Sequence, residues 1–372
     1  MSSATSQTKR VVLFDQHGPL VLESGETISP VEVAYATYGE LADDRSNVVY
    51  VCHALTGDAN VAGENGWWSS LIGPGKPIDT DRFFVVCSNL LGGCNGTTGP
   101  SSLDPSTGKP YGLRFPLFTV RDLVTVHRAL LAHLRIERPA AAIGGSVGGM
   151  QVLQWMLDHP GELGAAAVVC ASARLTAQNI AFSAVARAAI MEDENFHGGD
   201  YYEHGVRPDR GLSLARRIAH ITYLSEQSMR EKFGRRLQHG DAPHRGFEVD
   251  FAVESYLEHQ GESFLQRFDA NSYLYLTRVM DYFDPFGDLA GAVERLRGSG
   301  THTLVISFDT DWRFDTAHSR EIVHALQAAR LPVTFREISS PHGHDSFLLD
   351  VPEYHRTVAA FFGRLASDRL AL

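Results

Sequence analysis

Cysteine is scarce in this sequence, and its scarcity argues against several classes of protein. Four cysteines are spread over 372 residues, and no two of them form a CxxC pair. Zinc ribbons and thioredoxin-like redox motifs depend on such pairs, so neither is predicted. Four scattered cysteines in a chain of this length are typical of reduced core residues, which predicts a cytoplasmic protein.

Long basic runs and long apolar runs are missing as well. The formal net charge is −11 and the sequence pI is about 5.8, so non-specific binding to nucleic acid, which depends on neutralising phosphates, is not expected. No apolar run approaches the roughly 18 residues of a membrane-spanning helix, so we predict no membrane span. The opening MSSATSQTKR has no apolar segment after its basic residues, and we expect a loose tail rather than a secretory signal.

What the sequence does contain is an alternation of strand and helix patterns. Short β-rich segments open the chain and longer, continuously apolar runs follow, which predicts strands over residues 11–14, 19–24, 31–39, 47–55 and 82–92. A helix over 119–134, a strand at AAAIGG, a helix at MQVLQWMLDHP and a strand over 165–172 come next. This order is the pattern of a mostly parallel sheet with helices on both faces, an α/β fold.

A long helical block interrupts this alternation. From residue 174 no convincing strand pattern occurs until HTLVISF, after which strand and helix patterns resume. We therefore predict an α/β core formed by residues 1–173 and 300–372, with a helical lid inserted over residues 174–299.

The octapeptide GGSVGGMQ lies at the seam between a predicted strand and a predicted helix. It contains G-x-S-x-G with Ser146 at the centre. On a sharp strand-to-helix turn the serine hydroxyl projects from the sheet edge, and the flanking glycines let the two backbones pass closely. The helix N-terminus adds free N–H groups and positive potential. We predict that Ser146 is a catalytic nucleophile; the alternative is a glycine-rich turn with a chance serine.

A serine nucleophile needs a base and an orienting carboxylate, and in strand–turn–helix sites of this kind they follow in the order Ser, Asp or Glu, His. The predicted strand HTLVISF runs into DTDWRFD, and VTFREIS runs into SPHGHDSF. We predict His344 as the base, with His342 as the competitor, and Asp311 as the carboxylate, with Asp309 as the fallback. These groups and Ser146 should share one edge, because parallel strands end on the same side of a sheet.

Two backbone N–H groups are expected to form an oxyanion hole beside Ser146. One belongs to Val147, which follows the nucleophile, and the other to Leu55 in HALTG, after the strand NVVYVCH. A metal is not predicted. The HxH pair of His342 and His344 would suit one, but no further ligands accompany it.

Several longer segments carry a more specific signal than G-x-S-x-G. They are GWWSSLIGPGKPIDTDRFFVVCSNLLGGCNGTTGPSS, GGSVGGMQ, LTAQNIAF, ARRIAHITYLSE and SPHGHDSFLLD. Together they resemble the homoserine O-acyltransferases of methionine biosynthesis, from about Val11 to the C-terminal helix. The resemblance implies an α/β-hydrolase fold with a helical lid and a homodimer. It also implies transfer of an acyl group from acyl-coenzyme A to the hydroxyl of L-homoserine, with no permanently bound cofactor.

The resemblance also assigns roles to particular residues. It makes Ser146, Asp311 and His344 the catalytic triad. It makes the following residues substrate-binding: Arg216 in LSLARRIAH, Tyr223 in HITYLSE and Asp345 after the histidine of GHD. A zwitterionic amino acid needs one fixed cation and one fixed anion, and an arginine can hold a carboxylate at two points. The neighbouring Arg217 is interpreted as a helix-surface residue.

The resemblance does not decide whether the acyl donor is succinyl-CoA or acetyl-CoA, because the family includes users of both. Acetyl-type members usually carry an apolar residue after the triad aspartate and tryptophan, as in DWLF, whereas this chain has DWRF with Arg313. That motif and FHGGDYYEHGVRP resemble the succinyl-using branch, while SNLLGGCNGTTGPSS is closer to the acetyl type. We favour succinyl-CoA, because a cation in a dry site beside the nucleophile needs an anionic partner.

Three further alternatives follow from the residues. A triad does not distinguish water from homoserine, so an esterase or thioesterase is one of them. A catalytically inactive binding protein on the same fold is the second. The third is serine as the acceptor, since one methylene in a pocket is worth only about 1–3 kcal/mol.

Overall fold

A central sheet organises the chain in the computed structural model, which describes residues 8–16 and 18–370. Most of the predicted N-terminal tail lies outside these described residues. The strands are, in chain order, β1 (Lys9–Leu13), β2 (Leu20–Val21), β3 (Thr27–Ile28), β4 (Val31–Tyr38), β5 (Val48–Cys52), β6 (Ile72–Gly73), β7 (Ile78–Asp79), β8 (Phe84–Ser88), β9 (Ala141–Gly145), β10 (Ala165–Val169), β11 (His302–Phe308) and β12 (Val333–Ile338).

Eight strands form the central sheet, in the spatial order β1-β4-β8-β5-β9-β10-β11-β12. β1 and β8 pair antiparallel with β4, and every other pairing in this sheet is parallel. β5, β9 and β10 are buried along their whole length, as expected for continuously apolar strands covered on both faces. The carboxyl ends of β5, β9, β11 and β12 therefore lie along one edge of the sheet.

Helices cover the sheet and fill the long connection between β10 and β11. They are α1 (Val120–His133), α2 (Val147–Asp158), α3 (Ala177–Met191), α4 (Tyr201–His204), α5 (Asp209–Tyr223), α6 (Glu226–Lys232), α7 (Ala252–Leu265), α8 (Ala270–Asp281), α9 (Leu289–Leu296), α10 (Thr316–Ala328) and α11 (Pro352–Leu370). Short 3₁₀ turns occur at Gly112–Arg114, His197–Gly199 and Gly343–Leu348. Among the described residues, no helix is both long and apolar enough to cross a membrane.

Alternate residues of β5 pack into two hydrophobic clusters on the opposite faces of the sheet. Tyr50 packs into the cluster that contains α1, α2 and α8, whereas Val49 and Val51 pack into the cluster that contains α11 and Trp68. This alternation follows from the two-residue period of a strand. Both faces of the sheet are covered by buried apolar residues, so the polar groups at the sheet edge are held by a well-packed core.

The helical connection is tightly packed within itself. α5 packs against both α3 and α7, and α9 lies against α2 and α10, beside the sheet. At the crossing of α5 and α7, a β carbon added to Gly261 would lie 2.2 Å from Ser213 Oγ, so only glycine allows this approach. The end of α5 is thereby held at a fixed place above the sheet edge.

Several predicted strands are shorter in the structure. The prediction over 19–24 is wrong in length: only Leu20–Val21 is a strand, and it pairs with Thr27–Ile28 across a turn at Gly25. The run 47–55 leaves the sheet after Cys52, and the run 82–92 leaves it after Ser88. The apolar residues beyond these ends are buried in loops, so apolar character alone overestimates strand length. The helix predicted over 119–134 is confirmed within one residue at each end.

Candidate active site

The turn at Ser146 has the geometry of a nucleophile elbow. Ser146 stands between β9 and α2 with φ 58° and ψ −127°, a positive-φ conformation that is strained for serine. The glycines around it are required by space. A β carbon on Gly144 would lie 2.2 Å from the Gly148 carbonyl carbon, and one on Gly148 would lie 2.1 Å from the Cys52 carbonyl oxygen. The strand and helix can therefore meet at this sharp turn only because these side chains are missing.

A chain of two hydrogen bonds joins Ser146, His344 and Asp311. His344 Nε2 lies 2.9 Å from Ser146 Oγ, and His344 Nδ1 lies 2.7 Å from Asp311 Oδ2. Because a carboxylate only accepts hydrogen bonds, Nδ1 carries the proton and Nε2 is free to accept the serine proton. Asp311 Oδ1 accepts the backbone N–H groups of Arg313 and Phe314, each at 3.0 Å. Both carboxylate oxygens are thus fixed in a buried site.

The loop that carries His344 is pressed against the end of α5. Gly343 has φ +69°, and a β carbon there would lie 2.5 Å from the Ser225 backbone nitrogen. The ring of Phe314 meets the His344 ring edge-on at 5.2 Å. Gly343 thus permits the close approach that aims the imidazole at Ser146.

The competing candidates take no part in this hydrogen-bond chain. Asp309 accepts the backbone N–H of Ser340 at 2.9 Å, a bond that ties together the loops after β11 and β12. The His342 backbone N–H is directed to Ser340 Oγ, and no bond joins the His342 side chain to Ser146 among the described residues. The structure thus brings together the preferred base and carboxylate, and neither alternative.

The two predicted oxyanion donors lie on separate segments. Val147 is the first residue of α2, and Leu55 lies in the loop after β5; both are buried. Within the described chain, neither backbone N–H donates to a protein acceptor. The loop is held by His53, whose Nδ1 lies 2.7 Å from the Ala54 oxygen and whose Nε2 accepts the Leu90 N–H at 3.2 Å. Burial lowers the pKa of His53, which keeps the ring neutral and able to accept.

Arg216 and Asp345 are opposite charges, and neither has an ion-pair partner among the described residues. Arg216 Nη1 donates to Thr56 Oγ1 at 3.5 Å. The buried guanidinium of Arg216 lies over the Phe264 ring, with 4.6 Å from Cζ to the ring centroid, and its Nε has no hydrogen-bond partner. In the described part of the chain, no carboxylate lies within 4.0 Å of it. Asp345 likewise forms no ion pair there. Burial raises the pKa of Asp345, although His344 and Arg216 each act to lower it.

Tyr223 lies between two arginines. Its ring centroid is 5.7 Å from Arg216 Cζ and 5.5 Å from Arg313 Cζ, and its ring is 6.0 Å from the His344 ring. Arg313 is buried, and its Nη1 donates to Thr222 Oγ1 at 2.8 Å. As with Arg216, no carboxylate is within 4.0 Å of Arg313 among the residues described. All four predicted binding residues thus lie beside the predicted triad.

Other polar groups near the site were not predicted from the sequence. Arg267, just after α7, donates to the Thr56 backbone oxygen at 3.2 Å, and Lys232 lies over the Tyr256 ring at 4.6 Å. Burial lowers the pKa of His220 to about 3, with Arg216 the next largest cause, so this histidine is neutral. Once the resemblance assigns Arg216, the spacing of one helical turn could have indicated His220, whereas nothing in the sequence places Arg267.

Cys170 lies close enough to Asp311 and His344 for the three ligand atoms to fall within 4.8 Å of one another. Burial raises the pKa of Cys170 well above its usual value, so the thiol keeps its proton and is a poor metal ligand. The histidine and the aspartate are already bonded to each other. The chemistry of this donor set therefore suits proton transfer to and from Ser146 better than metal binding.

Comparison with known proteins agrees with this geometry. Residues 47–351 match the family model described as alpha/beta hydrolase fold. Homoserine O-acetyltransferase from Bacillus anthracis superposes with a TM-score of 0.87 at 28% identity, covering 96% of this chain and 97% of that chain. Esterase E22 superposes with a TM-score of 0.86 at 27% identity, covering 96% and 100%. The protein is thus an α/β hydrolase by fold, with a serine at the nucleophile elbow.

Curated relatives define the family within this class. Homoserine O-succinyltransferase of Magnetococcus marinus is 56% identical over 369 residues, covering 96% of this chain and 94% of the relative. Homoserine O-acetyltransferase of Mesorhizobium japonicum is 50% identical over 375 residues, covering 99% and 96%. The chain belongs to the homoserine O-acyltransferase family, which confirms the resemblance drawn from its sequence.

Proposed function

We propose that this protein transfers a succinyl group from succinyl-CoA to the side-chain hydroxyl of L-homoserine, through an acyl-enzyme on Ser146. One observation carries the proposal. A buried hydrogen-bonded chain from Asp311 through His344 to Ser146 lies beside a cation, Arg216, and an anion, Asp345, neither of which forms an ion pair among the described residues. The first group suits acyl transfer, and the second suits an amino-acid substrate.

In the first half-reaction the acyl group moves to the enzyme. His344 Nε2 takes the proton of Ser146 as Oγ attacks the thioester carbonyl carbon. The negative charge on the carbonyl oxygen is stabilised by the N–H groups of Val147 and Leu55. The carbon–sulfur bond then breaks, coenzyme A leaves with the proton from His344, and an ester remains on Ser146.

In the second half-reaction homoserine takes the place of coenzyme A. Arg216 binds its carboxylate and Asp345 its ammonium group, which directs the hydroxyl toward His344. The histidine takes the hydroxyl proton while the oxygen attacks the acyl-serine carbonyl. The Ser146 oxygen leaves with that proton, and O-succinylhomoserine is released. Two groups of fixed charge make an amino acid a better acceptor than water.

Arg313 supports succinyl-CoA as the donor. A buried cation without an anionic partner is costly, and the free carboxylate of a succinyl group is a suitable partner. The bond from Arg313 to Thr222 and the nearby Tyr223 ring hold the guanidinium beside the triad. Acetyl-CoA is the second candidate, because a relative named homoserine O-acetyltransferase is 50% identical to this chain.

We further propose that the helical segment 174–299 acts as a lid on a core formed by residues 1–173 and 300–372, and shields the acyl-enzyme from water. We also propose that the protein is a cytoplasmic homodimer in methionine biosynthesis. Exposed apolar side chains on α3 and α5 support a contact between subunits: Val185, Met191 and Leu214 are 58%, 54% and 48% exposed.

A direct assay tests the proposal. The full-length protein is given succinyl-CoA or acetyl-CoA, with or without homoserine, and both free thiol and O-acylhomoserine are measured. Thiol release should require homoserine and be faster with succinyl-CoA. Thiol release that is independent of homoserine would indicate a hydrolase. Faster transfer from acetyl-CoA would show that acetyl-CoA, and not succinyl-CoA, is the preferred donor. Equal use of serine would contradict the acceptor. Absence of both products would favour a binding protein.

A further inference from the structure

A buried side-chain amide connects the two segments that carry the predicted oxyanion donors. Gln151 lies on α2 and is fully buried. Its Nε2 donates to the His53 carbonyl oxygen in the loop after β5 and to the Val147 carbonyl oxygen on α2, both at 3.1 Å. One amide group thus bridges the loop that contains Leu55 and the helix that begins at Val147.

The other end of this amide is fixed by a buried polar network. Gln151 Oε1 lies 2.8 Å from His127 Nε2, and His127 Nδ1 lies 2.8 Å from the Tyr50 hydroxyl. The Tyr50 hydroxyl is also 2.7 Å from Ser88 Oγ. Burial lowers the pKa of His127 to about 4, so its ring is neutral. Since Oε1 only accepts, the His127 proton is on Nε2, and Nδ1 accepts from Tyr50.

The polar network lies where the sheet packs against α1 and α2, within the hydrophobic cluster on that face. A buried polar network is favourable only when every member is paired, and such a network specifies one geometry. The network spans β5, β8, α1 and α2, and its amide end lies where α2 crosses the end of β5. At that same crossing a β carbon on Gly148 would lie 2.1 Å from the Cys52 oxygen. The two backbones are therefore in contact there, and Gln151 is the side chain that joins them.

We propose that Gln151 is a positioning residue for the oxyanion hole, fixing the separation of the Leu55 and Val147 N–H groups. This inference rests on the proposed acyl-serine chemistry. Oxyanion donors act when they lie about 2.7–3.1 Å from the oxyanion. Because the two donors belong to different segments, their separation depends on what joins the segments. Gln151 acts through the backbone and does not contact the substrate.

The test compares two glutamines of the same helix. Gln151→Met has nearly the same volume but no donors. Gln154→Met is the matched control, because the Gln154 amide donates to Asp158 at 2.7 Å, away from the site. The probes are p-nitrophenyl acetate and the thionoester in which sulfur replaces its carbonyl oxygen. Sulfur is the weaker hydrogen-bond acceptor, so an intact oxyanion hole accelerates the ester more than the thionoester.

For Gln151→Met we expect kcat for transfer to fall by about 10- to 100-fold, less than the loss of a whole donor, with KM for homoserine almost unchanged. The ester-to-thionoester rate ratio should fall by about tenfold, because the discrimination comes from the oxyanion hole. Gln154→Met should retain the wild-type kcat and the wild-type ester-to-thionoester rate ratio. Gln151→Asn, which keeps an amide but is one methylene too short to reach the His53 oxygen, should lower the ratio in the same way.

A wild-type ratio in folded Gln151→Met or Gln151→Asn would overturn the proposal. So would an equal fall in Gln154→Met, which would indicate a general effect of altering α2. Thermal melting identifies which variants are folded. Failure of the acyl-serine chemistry on which this inference rests gives a different result, since wild-type protein would then release no p-nitrophenol that depends on Ser146.

Discussion

Two neighbouring regions of this molecule treat their polar groups in opposite ways. At the sheet edge, both oxygens of Asp311 and both nitrogens of His344 already have hydrogen-bond partners. Around Tyr223, a few ångströms away, Arg216 and Arg313 are buried without a carboxylate partner. Under the proposed function, the difference teaches that the groups for bond making are assembled in advance, whereas the groups for recognition are left for charges on the substrates to pair.

The contrast has a cost in stability. A buried charge without a partner destabilises the folded state, and proteins tolerate this where function requires it. Variants of the assembled region, which comprises Ser146, His344 and Asp311, should therefore lose activity without gaining stability. Variants of the unpaired region, which comprises Arg216, Arg313 and Asp345, should lose substrate affinity while the fold is unaffected or more stable.

The largest effect is expected from Ser146→Ala. Loss of the nucleophile should lower transfer by about 10⁴-fold or more, by analogy with other triad enzymes, while homoserine binding persists. The checks are product formation and isothermal titration with homoserine. Ser263→Ala on the exposed side of α7 is the control. A residual rate above about one hundredth of wild type would contradict a nucleophilic role.

Arg216→Gln and Arg217→Gln compare adjacent arginines of α5. Arg217 Nη1 lies 3.9 Å from a Glu258 oxygen and is partly exposed, so its loss should change little. Arg216→Gln removes two charge-assisted bonds to the homoserine carboxylate, and KM should rise by roughly 100-fold or more. Steady-state kinetics with varied homoserine provides the measurement. Similar KM values for the two variants would show that Arg216 does not bind the substrate.

Arg313→Leu tests the donor. Loss of one charge-assisted interaction should lower kcat/KM for succinyl-CoA by roughly 10- to 100-fold and raise the relative use of acetyl-CoA. Competition between the two donors, with both products quantified, measures the preference directly. Arg313→Lys, which keeps the charge, should lie between leucine and wild type. An unchanged preference in Arg313→Leu would remove this residue from the donor argument.

The smallest effect is expected from Asp345→Asn, and it depends on pH. Burial raises the pKa of Asp345, so the carboxylate is charged only above that raised value. Homoserine affinity should therefore be present above the folded-state pKa and be lost as the pH falls through it. In Asp345→Asn, this change of homoserine affinity with pH should be much smaller.

The same shift predicts a gain in stability. The folded protein holds the Asp345 proton more tightly than the unfolded chain, so stability falls as pH rises from the unfolded pKa through the folded one. At neutral pH, Asp345→Asn should raise the melting temperature, because the buried charge is removed. A lower melting temperature together with an unaltered pH profile would contradict the unpaired carboxylate.

The assembled region was largely predictable from the sequence. Ser146 could be placed because G-x-S-x-G stood between a strand and a helix. Asp311 and His344 could be placed because parallel strands end at one edge. The choice against Asp309 and His342 depended on which side chain turns toward the serine, and the structure supplies that information. Two-residue strands such as Ile72–Gly73 are too short to show a period.

The unpaired region and the contact of Gln151 near the predicted oxyanion hole were less predictable. Arg216, Tyr223 and Asp345 were found only through the family resemblance, because an arginine on an amphipathic helix has no distinctive local pattern. Gln151 was visible in GGSVGGMQ, but its partners are a carbonyl group before Leu55 and a histidine on α1. Contacts of this kind depend on how α2 crosses β5, which local sequence does not encode.

Trapping the acyl-enzyme tests the central claim most directly. The full-length protein is mixed with succinyl-CoA in the absence of homoserine, and its intact mass and peptide masses are recorded before and after homoserine is added. We expect a mass increase of one succinyl group on the peptide that contains Ser146, discharged by homoserine as O-succinylhomoserine and absent in Ser146→Ala. A succinyl group on another residue, or product formation without any Ser146 ester, would contradict the account.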